Sequence, residues 1–180
     1  MPSELSGRTC VRKIEPLAQS HDREGFDCGS EPPDAFLKQT AGQHGARGIS
    51  RTFVLVDENA PEPKPILGFF SLSLCQIKSE MLSADDARRL PREVAGIRLG
   101  RPGVAKEHQR QGIGKTLLVS AMENFMQIFR IAGGIGLFVD AKDDAAKHYY
   151  EQFGFVSLPS HELQLFLPVK TIQQALATHL

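Results

Sequence analysis

The chain has no surplus of charge: 21 Lys and Arg stand against 21 Asp and Glu. A protein that coats nucleic acid through its phosphates carries a basic excess, so this balance excludes a uniformly basic surface and leaves room only for a local patch. Cysteine is scarce and odd in number, and Cys10, Cys28 and Cys75 contain no Cys-x-x-Cys. That argues against a disulfide framework or a zinc site, and for reduced thiols in the cytoplasm. The six histidines are scattered with no pair at ligand spacing beside carboxylates, so no metal is expected. The nearest arrangement, His148 with Glu151, reads as a solvated helix face. No apolar run approaches the roughly 20 residues of a membrane span. The opening Met1-Pro2-Ser3-Glu4-Leu5-Ser6 lacks the pattern of a signal peptide. Internal repeats and low-complexity tracts are also missing. What remains, 41% hydrophobic and 23% charged over 180 residues, is the composition of one ordinary domain spanning residues 1–180.

The most informative segment present is Gln109-Arg110-Gln111-Gly112-Ile113-Gly114-Lys115, followed by a long apolar helical pattern. Two glycines let a backbone approach an anion and aim successive N–H groups at it, and the helix that starts there adds its positive dipole end. Spacing narrows the anion. The P-loop pattern Gly-x-x-x-x-Gly-Lys-Ser/Thr is absent, and so is the dinucleotide pattern Gly-x-Gly-x-x-Gly. A plain turn before a helix is the bland alternative.

Upstream, Ile97 to Ala105 carries two glycines and Pro102, which do not suit a fully paired central strand. It reads as a bulged or splayed strand. Downstream, Ile135 to Asp140 is a short buried strand, and Asp143 to Phe153 a helix capped by Asp143 or Asp144. Gly154 supplies a left-handed stop before Phe155. Tyr150-Glu151-Gln152-Phe153-Gly154-Phe155 thus reads Tyr-x-x-Phe-Gly-Phe.

These segments resemble motifs A and B of the GNAT acyltransferase superfamily, in the same order along the chain. The resemblance implies an α/β (α+β) fold, a central mixed twisted sheet flanked by helices, with acetyl-CoA as cofactor. It implies that the strand before motif A splays, that the pantetheine arm enters the gap, and that Val104 meets it. Pro102 donates no N–H, so one contact of that kind is missing or shifted. Gln109, Arg110, Gln111, Gly112, Ile113, Gly114 and Lys115 then cradle the pyrophosphate, and Asp143 joins the cofactor-binding set. Tyr150 takes the position of the tyrosine that meets the departing thiolate; a core tyrosine under the sheet is the alternative, and Tyr149 packs or lines the cleft.

The rest of the chain yields a coarse map. Thr9 to Ile14 reads as a first strand, and Glu15 to about Gln43 as a helical region broken at residues 25–33, its second helix starting at Pro32-Pro33. Ser50 to Asp57 and Ile66 to Gln76 form a hairpin around a proline-rich loop. Ser83 caps a short helix that runs to Leu90 and breaks at Pro91. The helix from residue 112 to about 131 buries Leu117, Leu118, Ala121, Met122, Phe125, Ile128 and Phe129 on one stripe. His161 to Pro168 makes the last strand, and Val169 to Thr178 a terminal helix.

The segments Gly25 to Glu31, Ala35 to Gln39, Gly48 to Val54 and Ile97 to Ala105 resemble the GNAT-type toxins of bacterial type II toxin–antitoxin pairs. That resemblance, spanning about Leu17 to Phe166, implies acetylation of the α-amino group of aminoacyl-tRNA, a block in translation, a ribbon-helix-helix antitoxin and a homodimer. A small-molecule or protein amine is the alternative acceptor, and a non-catalytic CoA-binding regulator a third reading. An aminoacyl ester is less basic than lysine, so a useful fraction is neutral near pH 7 and no strong base is demanded. The local basic surplus between Ala87 and Lys115 offers Arg88, Arg89, Arg92 and Arg101 as substrate-binding residues at the cofactor mouth.

Overall fold

The computed structural model describes residues 9–178; residues 1–8 and 179–180, including the opening segment discussed above, lie outside the described residues. Eight strands form the sheet: β1 (Arg12–Pro16), β2 (His21–Asp22), β3 (Arg51–Asp57), β4 (Lys64–Lys78), β5 (Glu93–Val104), β6 (Gly136–Asp140), β7 (Val156–Leu158) and β8 (His161–Pro168). Their order is β1-β3-β4-β5-β6-β8-β7, with β2 paired to β4 off that path. Along it only β5 and β6 run parallel. That parallel step needs a crossover, supplied by α4 (Ile113–Ala132).

Helix α4 is the spine of the larger core. Its buried face of Ile113, Leu117, Leu118, Ala121, Met122, Phe125 and Met126 packs on Phe70, Leu72, Ile97, Leu99, Leu137 and Val139 of the sheet. Ile128 and Phe129, expected on the same stripe, are only partly buried at the edge of that cluster. On the opposite face, the helical segment α1 (Glu31–Ala35), a π-helical turn (Phe36–Thr40) and α2 (Ala41–Ala46) covers Val54, Val56, Ile66 and Phe69. The proline pair does occupy the first turn of α1. Beneath it Phe26 meets Phe69 edge-on, with centroids 5.3 Å apart. A third cluster, with Phe138 stacked on Phe166, lies on the same side further along.

Several expectations need correction. No helix begins at Glu15. β1 continues through Pro16, and residues 17–30 are irregular apart from the two residues of β2, which pair with Lys64 and Pro65. Polar ties hold this segment. The Ala18 N–H donates to His21 Nδ1 at 2.9 Å, so Nε2 carries the proton and donates to Glu15 Oε1 at 2.7 Å. The short helix capped by Ser83, α3 (Ala84–Ala87), stops before Leu90 because Arg89 turns to a φ of 65°. The second hairpin strand is longer than expected, and the splayed strand begins at Glu93. The last helices are α5 (Asp144–Glu151) and α6 (Val169–Ala177), and Gly154 takes a φ of 94°.

Candidate active site

The site begins where β5 leaves β6. Their register covers only Ile97 with Leu137, Arg98 with Phe138 and Leu99 with Val139. Beyond that point β5 pairs on one side alone, with β4, and there Phe70 opposes the two residues Arg101 and Pro102 between the pairs Ser71–Gly100 and Phe69–Gly103. Arg101 adopts a φ of 45° and Pro102 has no N–H, so this bulge bends β5 and opens a gap. The Ala105 N–H donates to the Leu67 carbonyl of β4 at 2.9 Å. By strand alternation the N–H and C=O of Val104 therefore face the gap.

Gln109 braces that edge. Its Nε2 donates to the Cys28 carbonyl at 2.9 Å and the Val104 carbonyl at 3.0 Å, tying the irregular segment to the splayed strand. The Val104 carbonyl is thus occupied, and its N–H is the donor left facing the gap. Next, Arg110 at a φ of 62° and Gly112 at 79° reverse the chain into α4. No side chain caps α4, so its first N–H groups have no intrahelical or capping partner. At Gly114 an added Cβ would lie 2.9 Å from the Tyr149 hydroxyl, which explains a residue without a side chain there.

Two clefts meet at this wall. The first, about 390 Å³, lies on the α4 face between Phe70, Leu117, Arg110, Gly112, Lys115 and Tyr149. The second, about 480 Å³, lies under α1 between Cys28, Pro32, Pro33, Arg101, Asp140 and Lys142. Pro102, Gly103, Val104, Gln109 and Tyr150 line both. Tyr150 is 7% exposed, set edge-on to Phe155 and Tyr149. Burial, with a smaller contribution from Tyr149, pushes its hydroxyl far above the ordinary tyrosine value, so it stays protonated at neutral pH. Cys28, the one thiol at the wall, is pushed up to about 11 by burial and by its contact with Asp34. A thiol that holds its proton is a poor nucleophile.

Comparison with known proteins agrees with this geometry. A family model described as acetyltransferase (GNAT) domain matches residues 50–157. The chain belongs to the GNAT acetyltransferase family. Among similar proteins is the tRNA-acetylating toxin of Mycobacterium tuberculosis (strain ATCC 25618 / H37Rv), 27% identical over 92% of this chain and 95% of the relative. A solved structure of the toxin AtaT with acetyl-methionyl-tRNAfMet superposes with a TM-score of 0.85, at 28% identity, over 92% of this chain and 99% of that one. A variant of KacT with tyrosine changed to phenylalanine gives a TM-score of 0.84 at 32% identity, over 91% and 98% of the two chains. AtaTR has also been solved with acetyl-CoA.

As a GNAT domain, the chain uses acetyl-CoA, and its residues fit that group. The uncapped N-terminus of α4, the open space around Gly112, and Arg110 and Lys115 at the rim suit a pyrophosphate. The apolar slot beside Val104 suits a pantetheine arm. Ile113 is buried in the core and offers only backbone. Gln111 turns away, accepting from Arg12 at 3.2 Å, and lines neither cleft. Asp143 also lines neither; its carboxylate caps α5 through the Ala146 N–H at 2.8 Å.

The basic run does not act as one surface. Arg101 reaches the second cleft, its guanidinium 4.8 Å above the Phe36 ring. Arg88, Arg89 and Arg92 sit instead at the other end of β5, roughly 35 Å along the strand from Val104. The expectation that they flank the cofactor mouth is corrected by the length of β5. Sequence reasoning missed Asp140 and Lys142 altogether. The available signal was a charged residue closing the apolar strand Gly136–Asp140 just where its parallel partner departs.

Proposed function

We propose that this protein is a toxin-type N-acetyltransferase that moves the acetyl group of acetyl-CoA onto the α-amino group of an aminoacyl-tRNA and so blocks translation. The observation that carries the substrate is similarity over nine-tenths of the chain to toxins whose names and complexes specify tRNA acetylation. The pair of clefts sharing one wall supports the chemistry. Acetyl-CoA, held in the α4 cleft, supplies an acyl thioester.

The chain's residues then do four things. The α4 N-terminus, Arg110 and Lys115 bind the phosphates. The Val104 N–H donates to the thioester oxygen as negative charge develops there. Tyr150, which lines both clefts and keeps its proton, gives a hydrogen bond or that proton from Oη to the departing sulfur as the new N–C bond forms and the C–S bond breaks. Pro32, Pro33 and Cys28 wall the acceptor cleft. Among the described residues Asp140 is the one carboxylate lining either cleft, and it is already paired with Arg98. That supports a mechanism in which positioning, not a strong base, drives transfer to an amine of low basicity.

The eight-stranded sheet supports reading residues 1–180 as one acetyltransferase domain. Among the described residues no helix is long and apolar enough to cross a membrane. With three free cysteines this supports a cytoplasmic enzyme. AtaT is known bound to the C-terminus of its antitoxin AtaR, and we extend to this chain a ribbon-helix-helix antitoxin and a homodimeric state. The deciding experiment incubates the purified protein, made in a cell-free system, with radiolabelled acetyl-CoA and charged tRNA, deacylated tRNA or a panel of small amines. Label in charged tRNA alone is the expected result. Label in a small amine with none in RNA would reassign the enzyme to a metabolic or resistance acetyltransferase.

A further inference from the structure

We infer that Asp140, braced by Arg98, binds the amine that is to be acetylated. This rests on the acetyltransferase reading above and assigns the acceptor side of the same site. Strand alternation fixes the direction of approach. Leu137 and Val139 of β6 point into the core beneath α4, whereas Phe138 packs in the cluster on the opposite face. Asp140, two residues beyond Phe138, shares that opposite face. The cofactor cleft is built on α4, so Asp140 reaches the shared wall from the other side, through the cleft under α1. It is also the first β6 residue past the last β5–β6 pair, at the fork of the splayed strands.

Its bonding leaves an acceptor free. Arg98 Nη1 contacts Asp140 Oδ2, and among the described residues no side chain bonds Oδ1. The charged and titratable groups around it are Arg98 and Arg101 of β5, Cys75 of β4, Lys142 just after β6, Tyr150 of α5, and Cys28 across the same cleft. Its register partner on β8 is the uncharged Gln164. A carboxylate oxygen accepts hydrogen bonds, and Oδ1 is the one left open to a donor. It suits an ammonium or amine N–H and leaves the nitrogen lone pair to be turned toward the shared wall. Asp140 thus orients the nucleophile, and the proton lost by the amine goes to solvent.

The test compares wild type with Asp140→Asn and Asp140→Glu, using charged tRNA and radiolabelled acetyl-CoA across a pH series. Asp140→Asn raises KM for charged tRNA roughly tenfold or more, the scale of one charge-assisted hydrogen bond. KM for acetyl-CoA stays within about twofold, because the cofactor sits across the sheet. Removing the carboxylate also disfavours the charged amine, so the acid limb of the kcat profile moves to lower pH, by roughly half a unit or more. Asp140→Glu restores part of the lost affinity. Parallel rises in both KM values with an unmoved pH limb would mean that the Arg98–Asp140 pair only holds the strands, and would overturn the inference. Unchanged kinetics for Asp140→Asn would overturn it too. Wild-type protein that labels no charged tRNA refutes the proposed substrate instead, and the same KM comparison is then made on whichever amine is labelled.

Discussion

Tyr150 shows what a single side chain can do when two cavities share it. Its hydroxyl is held protonated by burial, so it can give a proton but cannot take one at neutral pH. Tyr150→Phe keeps the ring that packs on Phe155 and removes only that donor. We expect kcat to fall about 10²- to 10⁴-fold with little change in KM for acetyl-CoA, and growth arrest on expression to disappear. A variant still toxic would remove Tyr150 from the mechanism. The same residue sets an alkaline limit. Above the ordinary tyrosine value of 10 the unfolded chain loses a proton that folded Tyr150 retains, so stability falls as pH climbs from there. Urea denaturation at pH 9 and above should show a shallower decline in Tyr150→Phe. Gly112 gives a second residue-scale check: at a φ of 79°, Gly112→Ala strains the entry to α4 by about 1 kcal/mol. Acetyl-CoA affinity, measured by calorimetry, should weaken while the melting point drops only slightly.

At the scale of elements, the irregular segment between β1 and α1 is held by side chains where a helix would have satisfied its own backbone. Glu15 is lowered below its ordinary value, first by its hydrogen bond from His21 and also by Lys64 and Lys13. A depressed carboxylate stabilises the fold above its unfolded value of 4.5 and loses that contribution as pH falls through the folded value. Glu15→Gln should therefore cost about 1 kcal/mol in urea denaturation at pH 7. The gap to wild type should narrow as pH falls below that unfolded value, and a gap that stayed constant with pH would place the effect elsewhere. This segment is also where sequence reading failed, because the His21–Glu15 bond joins residues six apart and leaves no periodic trace. The regular elements were legible: the stripe along α4, the turn chemistry at Gly154 and the strand His161–Pro168 carry their own patterns. At the site, the glycine loop and Tyr150 were legible as local strings. Asp140 and Lys142 were not, since their importance comes from β5 and α1 lying across from them.

Across the whole molecule, a neutral chain still has to hold a polyanion if charged tRNA is its substrate. The far tip of the β4–β5 hairpin does not help by net charge. From Lys78 to Glu93, the cations Lys78, Arg88, Arg89 and Arg92 are matched by Glu80, Asp85, Asp86 and Glu93, and Arg88 lies 3.9 Å from Asp85. Arg101 and Lys142, by contrast, line the acceptor cleft itself. Distance then separates two roles. A short acceptor, such as an aminoacylated terminal trinucleotide, reaches only the cleft, whereas a full tRNA can also span the roughly 35 Å to the hairpin tip. Arg101→Gln with Lys142→Gln should raise KM for both substrates several-fold and flatten the salt dependence of each. Arg88→Gln, Arg89→Gln and Arg92→Gln together should leave the short acceptor unchanged and raise KM only for full-length tRNA. Steady-state kinetics at two salt concentrations read both effects. Equal responses of the two substrates to the triple change would mean that the tip acts on folding, and no response of the full-length tRNA would remove these arginines from the binding surface.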